Sequence, residues 1–361
     1  MQLQLLGRTH VLILSRWPSY DELSAWRLDE LPDSRTYVGM KVIIPMIQFA
    51  ATTRVRDCDA TVVFLSNNEA VSIYSLSLHF LSDQPYMLCK SIPGPSEGRI
   101  SVVEICNDIT ATVVARIPSN FGPPTYTAIF YNIPNKRKFF HEFSSHISLD
   151  RLQIKLYPKC FILTGVRNDA LVVRIHELPP DLYVKDAFMD VTILSAEQCR
   201  LLAEYVLSPV SRLCEFYIST EPVYEHPSHF SLIVFHSFGE HTKGVADVYQ
   251  VPINTTESGI QCHSYTRTHR FKTAIGTRPE IVCMGKTGYR AVWLDHEWES
   301  DEHRLWKATF RPGDPATVDP LVPPHHPLPF EAHMIASLSF EEATGRVCVG
   351  LRTGAVYILE F

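Results

Sequence analysis

The stretch TGRVCVGLRTGAVYILEF, Thr344 to Phe361, decides the fold. It reads as two short apolar strands joined across Arg352-Thr353-Gly354, a set of residues suited to a tight hairpin turn. The same strand, polar turn and strand recur as TVVFLSNNEAVSIYSL (Thr61 to Leu76) and CFILTGVRNDALVVRIHEL (Cys160 to Leu178). Recurrence of one supersecondary unit along a chain is the mark of a radial β repeat.

Working outward, strand patterns run from end to end in groups of three or four, each group within roughly 45 residues, the spacing of a propeller blade. Thr61 to Leu65, Val71 to Leu76 and Tyr86 to Ser91 illustrate one group. Glu280 to Met284, Tyr289 to Asp295 and Leu305 to Phe310 illustrate another. Several strands are apolar on both faces, with Val71 and Ile73 on one side and Tyr74 and Leu76 on the other. A sheet wetted on one side would alternate; sheets stacked on both sides do not. The reading is an all-β propeller spanning residues 1–361 as a single domain, with about seven four-stranded blades; six and eight are the alternatives. The last group holds three strands, so Gln2 to Leu6 is expected to complete it and close the ring.

Two segments depart from the strand pattern. Ser195-Ala196-Glu197-Gln198 has the form of a capping box, with Leu201, Leu202, Tyr205 and Val206 at helical spacing behind it, which predicts a short helix over 195–206. Residues 312–333 hold seven prolines and read as an extended surface loop.

Bulk composition narrows the function classes. Hydrophobic residues are 45% of the chain, enough for a large core, and the formal net charge is −6 without a run of like charges. No nucleic-acid footprint is expected from that balance, nor attraction to anionic membranes. The nine cysteines are scattered singly with no C-x-x-C, which favours buried reduced thiols over a disulfide frame. Neither a secretion signal nor an apolar run long enough to span a bilayer is visible. The expectation is a monomeric cytoplasmic or nuclear protein with no cofactor and no metal.

Motifs that carry chemistry elsewhere have plainer readings in this chain. Gly94-Pro95-Ser96-Glu97-Gly98 satisfies G-x-S-x-G, but a nucleophile elbow needs a helix after it, and Arg99 to Ile105 continues as strand. Gly285-Lys286-Thr287-Gly288 resembles the end of a phosphate-binding loop but lacks its first glycine, and is read as a hairpin turn. Asn135-Lys136-Arg137-Lys138 is read as another hairpin tip, and His325, His326 and His333 as loop histidines. Asp295 to His303 packs oxygen donors and two imidazoles into nine residues, yet matches no metal loop. A basic partner docking there is the more specific expectation, with Trp298, Glu299, Asp301, Glu302 and His303 as candidate partner-binding residues. Trp293, Trp298 and Trp306 cluster in one blade, and core packing is the default expectation for all three, an exposed binding anchor the alternative. No residue set identifies a reaction; the rival class is a propeller hydrolase or lyase, which needs paired carboxylates at a central channel.

The ending Ser339-Phe340-Glu341-Glu342-Ala343-Thr344-Gly345-Arg346-Val347-Cys348-Val349-Gly350, with Gly354-Ala355-Val356-Tyr357-Ile358-Leu359, resembles the closing repeat of fungal F-box proteins of the mushroom-forming group. Gly288-Tyr289-Arg290-Ala291-Val292-Trp293-Leu294 is similar to a late-blade strand of that family. The resemblance implies the substrate-recognition part of a ubiquitin ligase, with a protein as partner. The family's F-box is a helical segment, whereas this sequence opens on strands, so binding of the ligase adaptor is expected only of a longer form that carries one. A general protein-binding scaffold is the alternative.

Overall fold

A computed structural model describes residues 2–6, 10–16, 21–28, 35–44, 47–56, 59–66, 71–77, 86–92, 99–106, 108–116, 125–143, 148–167, 170–183, 193–194, 199–209, 215–219, 229–236, 243–256, 259–262, 264–323 and 325–360. Side chains are described mainly from Val103 onward. The chain divides into two compact units, Arg16–Ser208 and Met1–Ser15 with Pro209–Phe361. The G-x-S-x-G segment lies outside the described residues; Arg99–Cys106 after it is a strand, as expected.

The first unit is built of antiparallel meanders. Asp21–Leu28 pairs with Arg35–Ile44 as a hairpin. Ile47–Arg56, Asp59–Ser66, Val71–Ser77 and Tyr86–Ile92 form a four-stranded sheet in chain order. Arg99–Cys106, Ile109–Arg116, Thr125–Asn132 and Arg137–Phe143 form the next, extended by the two parallel residues Ile193–Leu194. Ser148–Leu156, Cys160–Arg167, Ala170–Glu177 and Leu201–Pro209 form the last. The core of this unit lies between these last two sheets. Phe130 and Phe139 of one meet Phe161 of the other, with Val113, Ala128, Ile154 and Leu163 around them.

The helix predicted over 195–206 is a correction. Residues 195–198 lie outside the described set, but Leu201–Pro209 is a strand beside Ala170–Glu177. Non-local pairing overrides the local helix signal. The Glu177 amide donates to the Arg200 carbonyl at 2.9 Å, and Glu204 accepts from Arg167 and Arg174 at 2.9 and 2.6 Å. A helix would give up those backbone and cross-strand partners.

In the second unit, Glu215–Ile218, His229–His236 and Lys243–Thr256 pair in order, and both Gly259–Cys262 and Thr266–Ile275 fold back on Lys243–Thr256. Thr277–Met284, Arg290–Glu297, Glu302–Thr309 and Thr317–Pro320 make a four-stranded sheet. Its last strand falls inside the proline-rich stretch 312–333, which is therefore only partly loop. Thr317 and Val318 match the registers of Thr309 and Ala308, and Pro320 sits at the sheet edge, where a missing N–H costs no ladder bond.

The final sheet holds Ile335–Glu341, Arg346–Leu351 and Val356–Glu360, three strands among the described residues. The expected closure by Gln2 to Leu6 is corrected here. That strand lies beside Ile335–Glu341 but is hydrogen-bonded to His10–Arg16, in the register Gln2↔Leu14 to Leu6↔His10. Only three residues separate the two partners, so the local hairpin forms at far lower loop-closure cost than pairing with the far end of the chain.

Burial on both faces explains why one sheet follows another. In the strand Arg290–Glu297, Ala291 and Trp293 pack against Ile233, Phe235, Val248 and Phe271 of the preceding sheet. Val292 and Leu294, one residue over, pack against Ile335, Leu338, Val347 and Val349 of the following sheet. Successive side chains of a strand point to opposite faces, so an unbroken apolar run needs two partners. Trp293→Ala is expected to cost about 3–5 kcal/mol in denaturant unfolding. Trp298→Ala, at an exposed position, should stay within about 0.5 kcal/mol. Equal effects would refute the packing described.

One buried group in the first unit makes a pH-dependent contribution. His176 stacks on Phe161 at 4.9 Å with a 6° tilt, and neither of its ring nitrogens has a hydrogen-bond partner among the described residues. Burial, reinforced by His141 and Arg174 and weakly opposed by Glu204, lowers its pKa from 6.5 to about 3. The folded value lies below the unfolded one, so the unfolded chain takes up a proton that the folded chain refuses. The contribution is whole above pH 6.5 and is lost as pH falls towards 3. Between pH 6 and 4, His176→Phe should flatten the fall in stability by about 1.4 kcal/mol per pH unit, measured by urea unfolding across that range. Parallel wild-type and variant curves would show that His176 is protonated in the folded state.

Candidate functional site

The hairpin of Arg290–Glu297 and Glu302–Thr309 carries the segment singled out in the sequence. It turns from apolar to polar along its length. Trp293 and Trp306 face one another across the ladder, then Leu294 and Leu305, then Asp295 and Arg304, His296 and His303, and Glu297 and Glu302 at the tip. Trp293 is buried and Trp306 half-buried, as expected of core residues, but Trp298 corrects the default core expectation: it lies in the turn beyond the strand pair and is 58% exposed. Asp301 has φ 55°, a left-handed conformation that aspartate tolerates and that closes the turn. The Trp298 amide donates to the Gly276 carbonyl at 3.2 Å, and the Ser300 hydroxyl to Glu297 at 2.9 Å, so both ends of the turn are held.

The five candidate residues divide between two environments. Trp298, Glu299 and Glu302 lie outward, with Glu302 accepting from Arg304 at 2.5 Å. His303 faces inward, its ring stacked on His296 with centroids 4.4 Å apart and a 14° tilt. Asp301 bonds to the other face of the cluster, its Oδ1 2.7 Å from His296 Nε2.

A residue the sequence reading left out completes the group. Glu280 Oε1 lies 3.6 Å from His296 Nδ1, and Glu280 Oε2 lies 3.5 Å from His303 Nε2. Glu280, His296 and His303 each offer one donor atom, and these atoms all lie within 4.8 Å of one another. Glu280 reaches the site through a β-bulge. Pro279 pairs with Asp295 and Ile281 with Leu294, which leaves Glu280 as the extra residue. A bulge re-aims the side chain it carries. The signal was present in the sequence as a proline followed by a charge at the head of an apolar strand, but its contacts lie 16 and 23 positions away.

The remaining sequence features have structural partners. The Gly285 to Gly288 segment is the turn between Thr277–Met284 and Arg290–Glu297, and Glu342 occupies it. The Thr287 amide and hydroxyl donate to that carboxylate at 2.7 and 2.6 Å. Gly288, at φ +74°, would place a Cβ 2.1 Å from the Ser231 hydroxyl, so only glycine fits. In the 135–138 tip, Arg137 is buried and donates to the Asp181 carbonyl at 2.6 Å, while Lys138 lies over the Phe140 ring. His325, His326 and His333 are exposed, and the His333 ring lies 6.5 Å from that of His303. Cys199, Cys283 and Cys348 are free thiols, and burial pushes each up to about 12, which keeps them protonated and unreactive. No helix among the described residues is long and apolar enough to cross a membrane.

No family model matches the sequence, and no curated protein does. Solved structures do. The chain is similar to the WD40 domain of coronin from Toxoplasma gondii, with 10% identity and a TM-score of 0.53 over 97% of this chain and 77% of that one. It is similar to a chain of the mitotic checkpoint complex, with 8% identity and a TM-score of 0.51 over 100% and 89%. It is also similar to the C-terminal WD40 domain of Sif2, with 9% identity and a TM-score of 0.50 over 100% and 94%. Likeness at such identity speaks to the fold alone, and the fold is a β-propeller. Among the described residues the strands fall into seven sheets, in keeping with the seven blades expected from the sequence.

The Glu342 contact predicts its own test. Glu342→Ala should lower stability by about 1 kcal/mol in thermal or urea unfolding, because the Thr287 amide and hydroxyl lose their acceptor. Glu342→Gln retains one acceptor oxygen and should cost less; a larger loss for Gln than for Ala would refute the contact.

Proposed function

We infer that the propeller is a protein-interaction module whose hairpin tip at 298–302 docks a basic partner. The observation that carries this reading is Trp298, 58% exposed beside Glu297, Glu299, Asp301 and Glu302. A rigid aromatic on a turn anchored at both ends is a binding anchor of the kind that dominates interface energies. Surrounding carboxylates would select a partner rich in lysine or arginine and speed its encounter. Two WD40 domains and a chain of the mitotic checkpoint complex share the fold, which agrees with a binding role.

The finer reading comes from the resemblance of Ser339 to Leu359 to fungal F-box proteins, and makes the partner a substrate selected for ubiquitination. A scaffold without a ligase link is the second reading, and the tip would serve it equally well. Both are tested by affinity capture from the native organism with wild type and Trp298→Ala side by side. Trp298→Ala should weaken capture of the specific partner by about 30-fold, the loss of a 2 kcal/mol anchor. Unchanged capture would remove the tip from the interface. Recovery of cullin-RING subunits with the wild type would favour the ligase reading, and partner capture without them the scaffold.

A further inference from the structure

We propose that Glu280, His296 and His303 form a binding site for a late first-row divalent cation, zinc in the first instance, with Asp301 orienting His296 from behind. The site goes beyond the docking role and stands whether or not the tip binds a protein.

The argument begins with what each nitrogen faces. A carboxylate only accepts hydrogen bonds, so the 2.7 Å contact to Asp301 Oδ1 places a proton on His296 Nε2. In the neutral ring Nδ1 is then a lone pair, and it points at Glu280 Oε1 across 3.6 Å. His303 Nε2 faces Glu280 Oε2 across 3.5 Å, and His303 Nδ1 is buried without a hydrogen-bond partner among the described residues. Two imidazole nitrogens and a carboxylate thus converge at distances too long for good hydrogen bonds. A cation between them resolves the juxtaposition of lone pair and carboxylate.

The donor chemistry suits a borderline metal. Two imidazoles and one carboxylate are the ligand set of an open zinc centre, with a fourth position left for water or another ligand. Imidazole donors exclude calcium and magnesium, which take oxygen ligands. Tetrahedral zinc wants donors about 3.4 Å apart. The three donors lie within 4.8 Å of one another, with the oxygens of Glu280, the exposed member, already 3.6 and 3.5 Å from His296 Nδ1 and His303 Nε2. His296 also has the outer partner that metal-bound histidines require, since Asp301 fixes its tautomer and ring plane. The cross-strand register holds the two histidines side by side, but rings stacked with a 14° tilt keep their in-plane lone pairs nearly parallel, so one ring must turn for both nitrogens to meet one ion.

The full chain, stripped with chelator, should bind one equivalent of Zn²⁺ in calorimetry with a Kd below about 10 µM. Glu280→Gln and His303→Gln should each weaken that binding at least about tenfold, and Asp301→Gly, which keeps the left-handed turn but removes the acceptor, by about 10–100-fold, as expected for loss of an outer partner. Co²⁺ in the same site should show visible absorption bands that Glu280→Gln shifts or removes. Absence of saturable binding would overturn the proposal. So would equal affinity in wild type and Glu280→Gln, which would show adventitious binding among the chain's 16 histidines. Should His303→Gln fail to fold, Glu280→Gln at its exposed position decides the matter alone.

Discussion

Burial of strands on both faces is the constraint from which the rest follows. The strand Arg290–Glu297 alternates Trp293 on one side with Val292 and Leu294 on the other, and neither set is solvated. Fully burying one such side chain is worth about 1.5–3 kcal/mol, and exposing either face would forfeit several at once. A four-stranded sheet of this kind cannot stand alone, so each sheet exists because its neighbours do. The same pattern joins Phe130, Phe139 and Phe161 in the other unit, where two sheets share one aromatic core. Polar chemistry is thereby driven to strand ends and turns, which is where the Glu280, His296 and His303 group is found.

The site depends on two features of the ladder. The first is register. His296 and His303 are direct partners, so their rings stack at 4.4 Å without any long-range coincidence. The second is the bulge at Glu280. An uninterrupted strand would alternate sides strictly, whereas the extra residue at the bulge can be aimed where neither neighbour points. Apolar packing one and two pairs further down, at Leu294 with Leu305 and Trp293 with Trp306, holds the platform on which these polar groups stand.

How much of this was legible follows the range of the interactions. Hairpins such as Cys160–Arg167 with Ala170–Glu177, and the turns at Lys136 and Gly288, are written locally in alternation and turn residues, and they read correctly. Errors arose where a distant partner decided. Leu201 to Leu207 carries a helical spacing behind a capping box, but the free edge of Ala170–Glu177 and the arginines at 167 and 174 draw it into a strand. At Gln2 to Leu6 the reverse holds: the incomplete last sheet suggests a distant partner, but the hairpin with His10–Arg16, three residues on, prevails. In the site, both histidines were visible as a cluster. Their geometry was not, because the carboxylate between them comes from another strand and through a bulge that no periodicity announces.

The hairpin also ties the two halves of the tip together. Trp298, the outward anchor, packs its ring 5.0 Å from His296, the residue that Asp301 orients and that faces Glu280. Whatever fixes the His296 ring therefore restricts the rotamers open to Trp298. An anchor already ordered before docking loses less side-chain entropy on binding, a saving of about 0.5–1.5 kcal/mol for one immobilised side chain. A cation held by Glu280, His296 and His303 would act in that way, stiffening the aromatic while leaving the carboxylates at 297, 299 and 302 to face a basic partner. Docking and ligation would then be coupled through a single imidazole, and thermodynamic reciprocity requires the partner to tighten the cation by the same factor that the cation tightens the partner.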